Sequence, residues 1–277
     1  MEERFISLFP SPKIGDDGAV LPPPPPGRRW VVVKDLLVEG THFKLEWERD
    51  WYWIGAKGVL ANLSDIGAMG GRPRFGLVGV GFPKGVEWRL LESLAKGILE
   101  TGRRWGVEFV GGDTVRADRL TLSITLIGEV GKRAIWREVR KGDEVAITGQ
   151  LGKVERELRQ LLRRGRGNRK YKLLYPSPPL RFMEEASRLV RGGMDITDGL
   201  FRELNRLSRR NRVGFKLFTP ISGRVGCSGE EFEFLFSYPP RHRLALLRRG
   251  RRNRIKITPI GRAIRGRFKL NCRSYHF

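Results

Sequence analysis

The apolar positions of the first 140 residues follow two periods, and each period predicts a different element. Strands are predicted where apolar residues run together or alternate with polar ones, at 30–38, 75–82, 107–110 and 119–130. Helices are predicted where apolar residues recur every three or four positions, at 51–69 and 86–105. The five consecutive prolines at 22–26 predict an extended loop before the first strand.

The second half of the chain repeats this mixture with shorter segments. Strands are predicted at 144–148, 193–196 and 230–237, helices at 153–164, 180–191 and 200–210, and two short strands within 255–277. We therefore predict an α+β fold with two domains, residues 1–140 and residues 141–277, and the 277 residues are enough for both.

The sequence gives no sign of a membrane span or of secretion. No apolar run reaches the roughly 18 residues that a span requires. The first residues, MEER, are acidic before they are basic, which is not typical of a signal peptide, so a cytoplasmic protein is expected. Cys227 and Cys272 argue against a disulfide framework and leave a single bridge between them open.

The charge of the chain is strongly positive and unevenly spread. The formal net charge is +24. Residues 1–140 hold 21 basic and 18 acidic side chains, whereas residues 141–277 hold 33 and 12. A solvated, arginine-rich surface is the simplest interpretation, and attraction of anions such as nucleotides or nucleic acid is the alternative.

Six aspartates stand in apolar or glycine-rich segments of this cationic chain. The segments are IGDDG (14–18), VVVKD (31–35), ANLSD (61–65), FVGGD (109–113) and GMDITDGL (193–200). A carboxylate at the end of an apolar strand costs free energy unless a cation meets it. Because carboxylates from several strand ends are suited to holding Mg²⁺ against phosphate oxygens, the pattern predicts phosphoryl-transfer chemistry.

Other nucleotide and metal motifs are missing from the sequence. It contains no GxxxxGK[ST] loop and no HRD or DFG set, which excludes P-loop and protein-kinase chemistry. With three histidines and no CxxC pair, the sequence also argues against a zinc site.

The order of the aspartate segments resembles that of one known family. Together with EGTHF (39–43), TGQLG (148–152) and SGEEFE (228–233), they resemble the thiamine-monophosphate kinases, whose superfamily includes aminoimidazole-ribonucleotide synthetase and selenophosphate synthetase. The resemblance implies direct, in-line transfer of the γ-phosphoryl group of ATP to thiamine monophosphate, assisted by several Mg²⁺ ions. It also implies a homodimer whose N-terminal domains share a β-barrel, with the nucleotide between the two domains.

The resemblance also implies roles for particular residues. The implied magnesium ligands are Asp17, Asp35, Asp65, Asp113, Asp195 and Asp198. The implied nucleotide contacts come from a turn at Gly111 and Gly112, from Arg137 and from Thr197, and the implied thiamine-phosphate contacts from His42, Glu230 and Tyr275. Lys34 stands where the family has a hydroxyl residue, so one metal site is expected to differ.

Some of these positions also fit purely structural interpretations. Asp198 suits an N-cap of the following helix as well as it suits a metal ligand, and Asp143 is expected to form a turn without a catalytic role. Glu231 and Glu233 are expected to alternate outward on a strand. The alternative functions are another ATP-using member of the superfamily, or a nucleic-acid-binding protein that uses the basic second half.

Overall fold

Two β-sheets organise the fold of the computed structural model, which describes residues 2–14, 17–48, 50–168 and 170–272. The strands are β1 Arg28–Val38, β2 Arg72–Phe82, β3 Glu108–Arg116, β4 Thr121–Gly131, β5 Glu144–Thr148, β6 Gly192–Asp195, β7 Gly214–Leu217, β8 Phe234–Tyr238 and β9 Ile257–Ile264. The α-helices are α1 Glu2–Ile6, α2 Tyr52–Ala68, α3 Trp88–Arg104, α4 Lys153–Arg164, α5 Leu180–Ala186, α6 Leu200–Asn211, α7 Gly223–Gly226 and α8 Arg243–Arg252. This mixed architecture confirms the predicted α+β class.

The first sheet has the strand order β1-β4-β2-β3, with β2 and β3 parallel and the other pairs antiparallel. Along β4, Leu122 and Ile124 are buried while Ser123 and Thr125 are half-exposed, because successive side chains point to opposite faces. The buried face packs against α2, which in turn packs on α3. On the opposite face, which we call the open face, Val32 is 62% exposed.

Helix α2 is buried along almost its whole length. Its small residues allow the neighbouring helix to approach closely, since a Cβ at Gly55 would lie 2.2 Å from the carbonyl oxygen of Leu94 in α3. The same helix contacts α5 and β6 from the second half of the chain. Helix α2 therefore joins the first sheet to the elements that carry the later sequence motifs.

The second sheet has the strand order β6-β8-β5-β9-β7, and all its neighbouring pairs are antiparallel. Its core includes Leu200, Leu204 and Leu207, the apolar stripe of α6. These residues recur at helical spacing, which explains why the sequence pattern located α6 correctly.

Residues 230–233 are not part of a strand, which corrects the prediction of a strand at 230–237. Glu230 and Phe232 have positive φ angles of 49° and 50°, in the left-handed region that breaks strand pairing. Glu231 and Glu233 do not point outward as predicted, because both side chains are buried and hydrogen-bonded.

Two further predictions in the second half need correction, and one question that the sequence left open is answered. The helix predicted at 180–191 ends at Ala186, and one strand instead of two is found in the described part of the tail, which ends at residue 272. A disulfide joins Cys227 to Cys272, with 5.6 Å between their Cα atoms, so the bridge that the sequence left open is present. No helix among the described residues is both long and apolar enough to cross a membrane.

Candidate functional site

Three of the six aspartates come together between the helix-covered face of the first sheet and the edge of the second. We call Asp35, Asp65 and Asp195 the acidic group. Asp35 lies in the middle of β1, opposite Ile124, inside the strand that the sequence predicted at 30–38. Asp65 lies near the end of α2, and Asp195 is the last residue of β6, where its Oδ2 accepts a 2.9 Å hydrogen bond from the Ser64 hydroxyl.

The carboxyl groups of the acidic group are energetically strained by burial and by one another. Burial, followed by the negative charges of Asp195 and Asp35, raises the pKa of Asp65 to about 8. Burial and the charge of Asp35 raise the pKa of Asp195 to about 6, against the lowering effects of Ser64 and Arg137. The pKa of Asp35 is raised by burial and then by Glu230.

The acidic group fits a hard divalent cation by its chemistry. Arg137, which the sequence assigned to the nucleotide, faces the group and lowers the pKa values of Asp65 and Asp195, but it leaves both above their ordinary range. Among the described residues, no three His, Cys, Asp or Glu side chains stand close enough to hold one ion by themselves. Mg²⁺ tolerates this arrangement, because it keeps several waters and uses one or two carboxylates together with substrate phosphates.

A buried lysine connects two of the predicted substrate residues. The ammonium of Lys57 in α2 donates a 2.9 Å hydrogen bond to Oε2 of Glu230 and a 3.0 Å hydrogen bond to the carbonyl oxygen of His42. The Nδ1 atom of His42 accepts a 3.0 Å hydrogen bond from the backbone N–H of Val38. The structure therefore brings His42 and Glu230 together at α2, the helix that carries Asp65, and the negative charge of Glu230 contributes to the raised pKa of Asp35.

The remaining aspartates lie elsewhere, two of them on the open face of the first sheet. Asp17 and Asp113 line a cavity of about 630 Å³ together with Lys34, Gly111 and Gly112. Lys34 and Asp35 are neighbours in β1 and point to opposite faces, so the Lys34 ammonium donates to the Ser123 hydroxyl inside this cavity. The cavity thus carries one cation, two carboxylates and exposed backbone.

Gly111 and Gly112 belong to strand β3, which corrects the predicted nucleotide-binding turn. The pairing of β2 with β3 shifts register between Gly76 and Leu77, because Val110 of β3 has no partner in β2 and forms an irregularity directly before Gly111. A Cβ at Gly112 would lie 2.1 Å from the carbonyl oxygen of Val78, so glycine is required there by the close approach of two strands.

Asp198, in the segment between β6 and α6, does not serve as the N-cap of α6. The cap residue of α6 is Gly199, and Oδ2 of Asp198 instead accepts a 2.5 Å ion-paired hydrogen bond from Arg206. The carbonyl oxygen of Thr197 accepts a 2.7 Å hydrogen bond from the N–H of Glu230. The predicted nucleotide and substrate residues are therefore in direct backbone contact here.

Two functional candidates were missed by sequence reasoning, and one predicted residue is not described. Tyr275 lies outside the described residues. Arg206 looked like one more surface arginine, and its role at Asp198 has no local signal. Lys57 did have a signal, since it is a lone charge within the small and apolar run IGAKGVLANL (54–63).

The first sheet and the helices that cover it define an N-terminal domain of the AIR synthase related class. Residues 15–130 match the family described as AIR synthase related protein, N-terminal domain. A structure of AaThiL complexed with AMPPCP and TMP has the same fold, with a TM-score of 0.79 and 24% identity, and covers 96% of this chain and 92% of that one. The thiamine-monophosphate kinase structure from Stenotrophomonas maltophilia K279a gives a TM-score of 0.82 at 27% identity, covering 94% of this chain and 90% of that one.

Within that class, sequence similarity identifies the family. A thiamine-monophosphate kinase from Methanopyrus kandleri is 35% identical over 240 residues, which cover 81% of this chain and 72% of the relative. The chain belongs to the thiamine-monophosphate kinase family, as the order of its aspartate segments predicted.

Proposed function

We propose that this protein transfers the γ-phosphoryl group of ATP to thiamine monophosphate and so forms thiamine diphosphate. Family membership supports the reaction class. The observation that carries the proposal is the position of Glu230 and His42, which both accept hydrogen bonds from Lys57 of α2, the helix that also carries Asp65 and the Ser64 hydroxyl bonded to Asp195. An acceptor bound by Glu230 and His42 would have its phosphate next to the carboxylates that are suited to metal-bound ATP.

The acidic group is the proposed magnesium site. When bound, Mg²⁺ neutralises charge on the phosphate oxygens, which relieves the repulsion between two polyanionic substrates. Asp65 is positioned by its place in α2, and Asp195 is positioned by the hydrogen bond from the Ser64 hydroxyl. Arg137 contributes a positive charge next to both carboxyl groups. We propose further magnesium contacts from the other predicted aspartates, Asp17, Asp113 and Asp198.

The transfer step requires positioning and no covalent nucleophile on the protein. A phosphate oxygen of thiamine monophosphate attacks the γ-phosphorus in line, the bond from that phosphorus to the β–γ bridging oxygen breaks, and ADP leaves with that oxygen. Because Nδ1 of His42 accepts from Val38, the neutral imidazole carries its proton on Nε2, a donor suited to a phosphate oxygen. Thr197 and the glycines of β3 are the proposed nucleotide contacts.

The proposal includes a homodimer that shares a β-barrel. It is supported by the open face of the first sheet, where Val32, Leu36, Leu77 and Val115 are exposed apolar residues. Residues 1–140 and 141–277 are the proposed domains, with the nucleotide between them, and the cytoplasm is the proposed location.

The decisive experiment is to incubate the purified protein with ATP, Mg²⁺ and thiamine monophosphate and to separate the thiamine phosphates by chromatography. We expect thiamine diphosphate and ADP in equal amounts, and none with thiamine in place of its monophosphate. A folded protein that binds ATP and forms no thiamine diphosphate would exclude the proposal. Salt-sensitive binding of nucleic acid without turnover would then favour the alternative.

A further inference from the structure

Lys57 is a buried, charged side chain that has no role in the proposed transfer step. Its side chain is 1% exposed within α2. A buried ammonium is costly unless charged or polar partners replace the lost water. Two of its partners are Oε2 of Glu230 at 2.9 Å and the carbonyl oxygen of His42 at 3.0 Å, and both belong to segments assigned to the acceptor.

The segment that carries Glu230 needs an external support. Glu230 and Phe232 both have left-handed backbone angles, which cost free energy and persist only where surrounding contacts enforce them. The backbone of the segment is tied to residues 196 and 197 by the N–H groups of Glu230 and Phe232. The side chain of Glu230 is held separately, by Lys57.

The position of Lys57 along α2 connects the acceptor to the acidic group. Ser64 and Asp65 follow Lys57 by seven and eight residues, which is close to two helical turns, so all three lie on one side of the helix. Two turns span about 11 Å. One rigid helix therefore fixes the Glu230 carboxylate at one end and Asp65 and Asp195 at the other.

We infer that Lys57 is a positioning residue for the acceptor, because it orients the Glu230 carboxylate and the loop at His42 toward one molecule of thiamine monophosphate. The inference rests on the proposed function. It assigns to Lys57 no contact with ATP. Loss of the ammonium should therefore weaken acceptor binding and leave nucleotide binding unchanged.

The test compares Lys57→Met with Lys172→Met. Lys172 is the matched control, because it is also buried and pairs at 2.6 Å with Glu233, a carboxylate of the same segment. We expect Lys57→Met to raise the KM for thiamine monophosphate about ten- to hundredfold, with the KM for ATP changed less than about twofold. Lys172→Met should lower the melting temperature and leave both KM values within about twofold of wild type.

A double-mutant cycle separates positioning from general support. In a Glu230→Gln background, Lys57→Met should lose most of its effect on the acceptor KM. Lys57→Met alone leaves the Glu230 carboxylate without its partner, which can prevent folding, whereas the double variant has neither charge. If only the double variant folds, an acceptor KM equal to that of Glu230→Gln supports the inference and a tenfold higher one contradicts it.

Three outcomes overturn the inference. The first is an equal rise of the acceptor KM in Lys172→Met, which would indicate general support of residues 230–233. The second is a further tenfold rise when Lys57→Met is added to Glu230→Gln. The third is a wild-type protein that forms no thiamine diphosphate, which removes the proposed function as well, whereas the first two leave that function intact.

Discussion

Replacing Asp65 with asparagine should stabilise the protein at alkaline pH in the absence of Mg²⁺. The pKa of Asp65 is raised to about 8, whereas an aspartate in an unfolded chain titrates near 3.9. A shift of about four units corresponds to roughly 5 to 6 kcal/mol. Burial is the largest cause of the shift, and the charges of Asp195 and Asp35 add to it. Because the neighbouring carboxyl groups change their protonation together, we expect Asp65→Asn to recover about half of this free energy, roughly 3 kcal/mol.

The pH dependence has a definite sign. Between pH 4 and pH 8 the unfolded chain releases the Asp65 proton while the folded protein retains it, so wild-type stability falls as the pH rises. Above pH 8 the full penalty is present. Asparagine carries no such charge, so the variant should lose this part of the pH dependence.

The assay is urea unfolding at pH 6 and pH 8, with and without Mg²⁺, on wild type, Asp65→Asn and the exposed control Asp118→Asn. We expect the advantage of Asp65→Asn to grow from pH 6 to pH 8 and to shrink when Mg²⁺ is added, because the cation stabilises only the wild-type carboxylate. A variant that is less stable than wild type at pH 8 without Mg²⁺ would refute the electrostatic explanation of the acidic group.

Three further predictions concern other parts of the molecule. Asp113→Asn should reduce turnover at least about tenfold, because Asp113 is a proposed magnesium contact. The melting temperature should stay nearly unchanged, because the Asp113 side chain is exposed in the open-face cavity. Glu231→Gln should cost about 2 to 4 kcal/mol in urea unfolding, since this buried carboxylate accepts from Gly152, Val154 and Ser228. Reduction should expose two thiols per chain to a thiol reagent and lower stability by up to about 4 kcal/mol, because the disulfide spans 45 residues.

The sequence predicted those helices and strands that have a regular local pattern of apolar residues. It did not predict segments whose conformation depends on contacts with residues far away in the sequence. The ends of β1, β2, β4, α2 and α3 fall within three residues of their predicted positions, because one buried face imposes a regular period on each. The alternation of EEFEFLF (230–236) suggested a strand. In the folded protein Glu231 instead accepts from the first turn of α4, and Glu233 from Lys172, partners that are not readable from neighbouring residues.

The candidate site also contains some residues that the sequence pattern revealed and others whose role depends on the tertiary structure. The acidic residues were found because an aspartate in an apolar segment is unusual, but their separation onto two faces of the first sheet depends on the strand register. Lys34 and Asp35 are adjacent in sequence, and the alternation of β1 sends one to the open-face cavity and the other to the acidic group. Lys57 lies 173 positions from Glu230, so its role depends entirely on tertiary folding.

The burial of α2 has a consequence for how the site moves. Backbone amides in a helix enclosed by the first sheet, α3 and α5 exchange with deuterium only when much of the molecule opens, so they should be among the slowest in the chain. Residues 230–233 lie outside helices and strands, and the amides of Glu230 and Phe232 are each held by one hydrogen bond, to Thr197 and Ile196, so they should exchange after smaller openings than the amides of α2. The site thus combines a helix that should hardly open, which carries Lys57, Ser64 and Asp65, with a facing segment held by a few single hydrogen bonds, and a fall of deuterium uptake in that segment is where acceptor binding should first be visible.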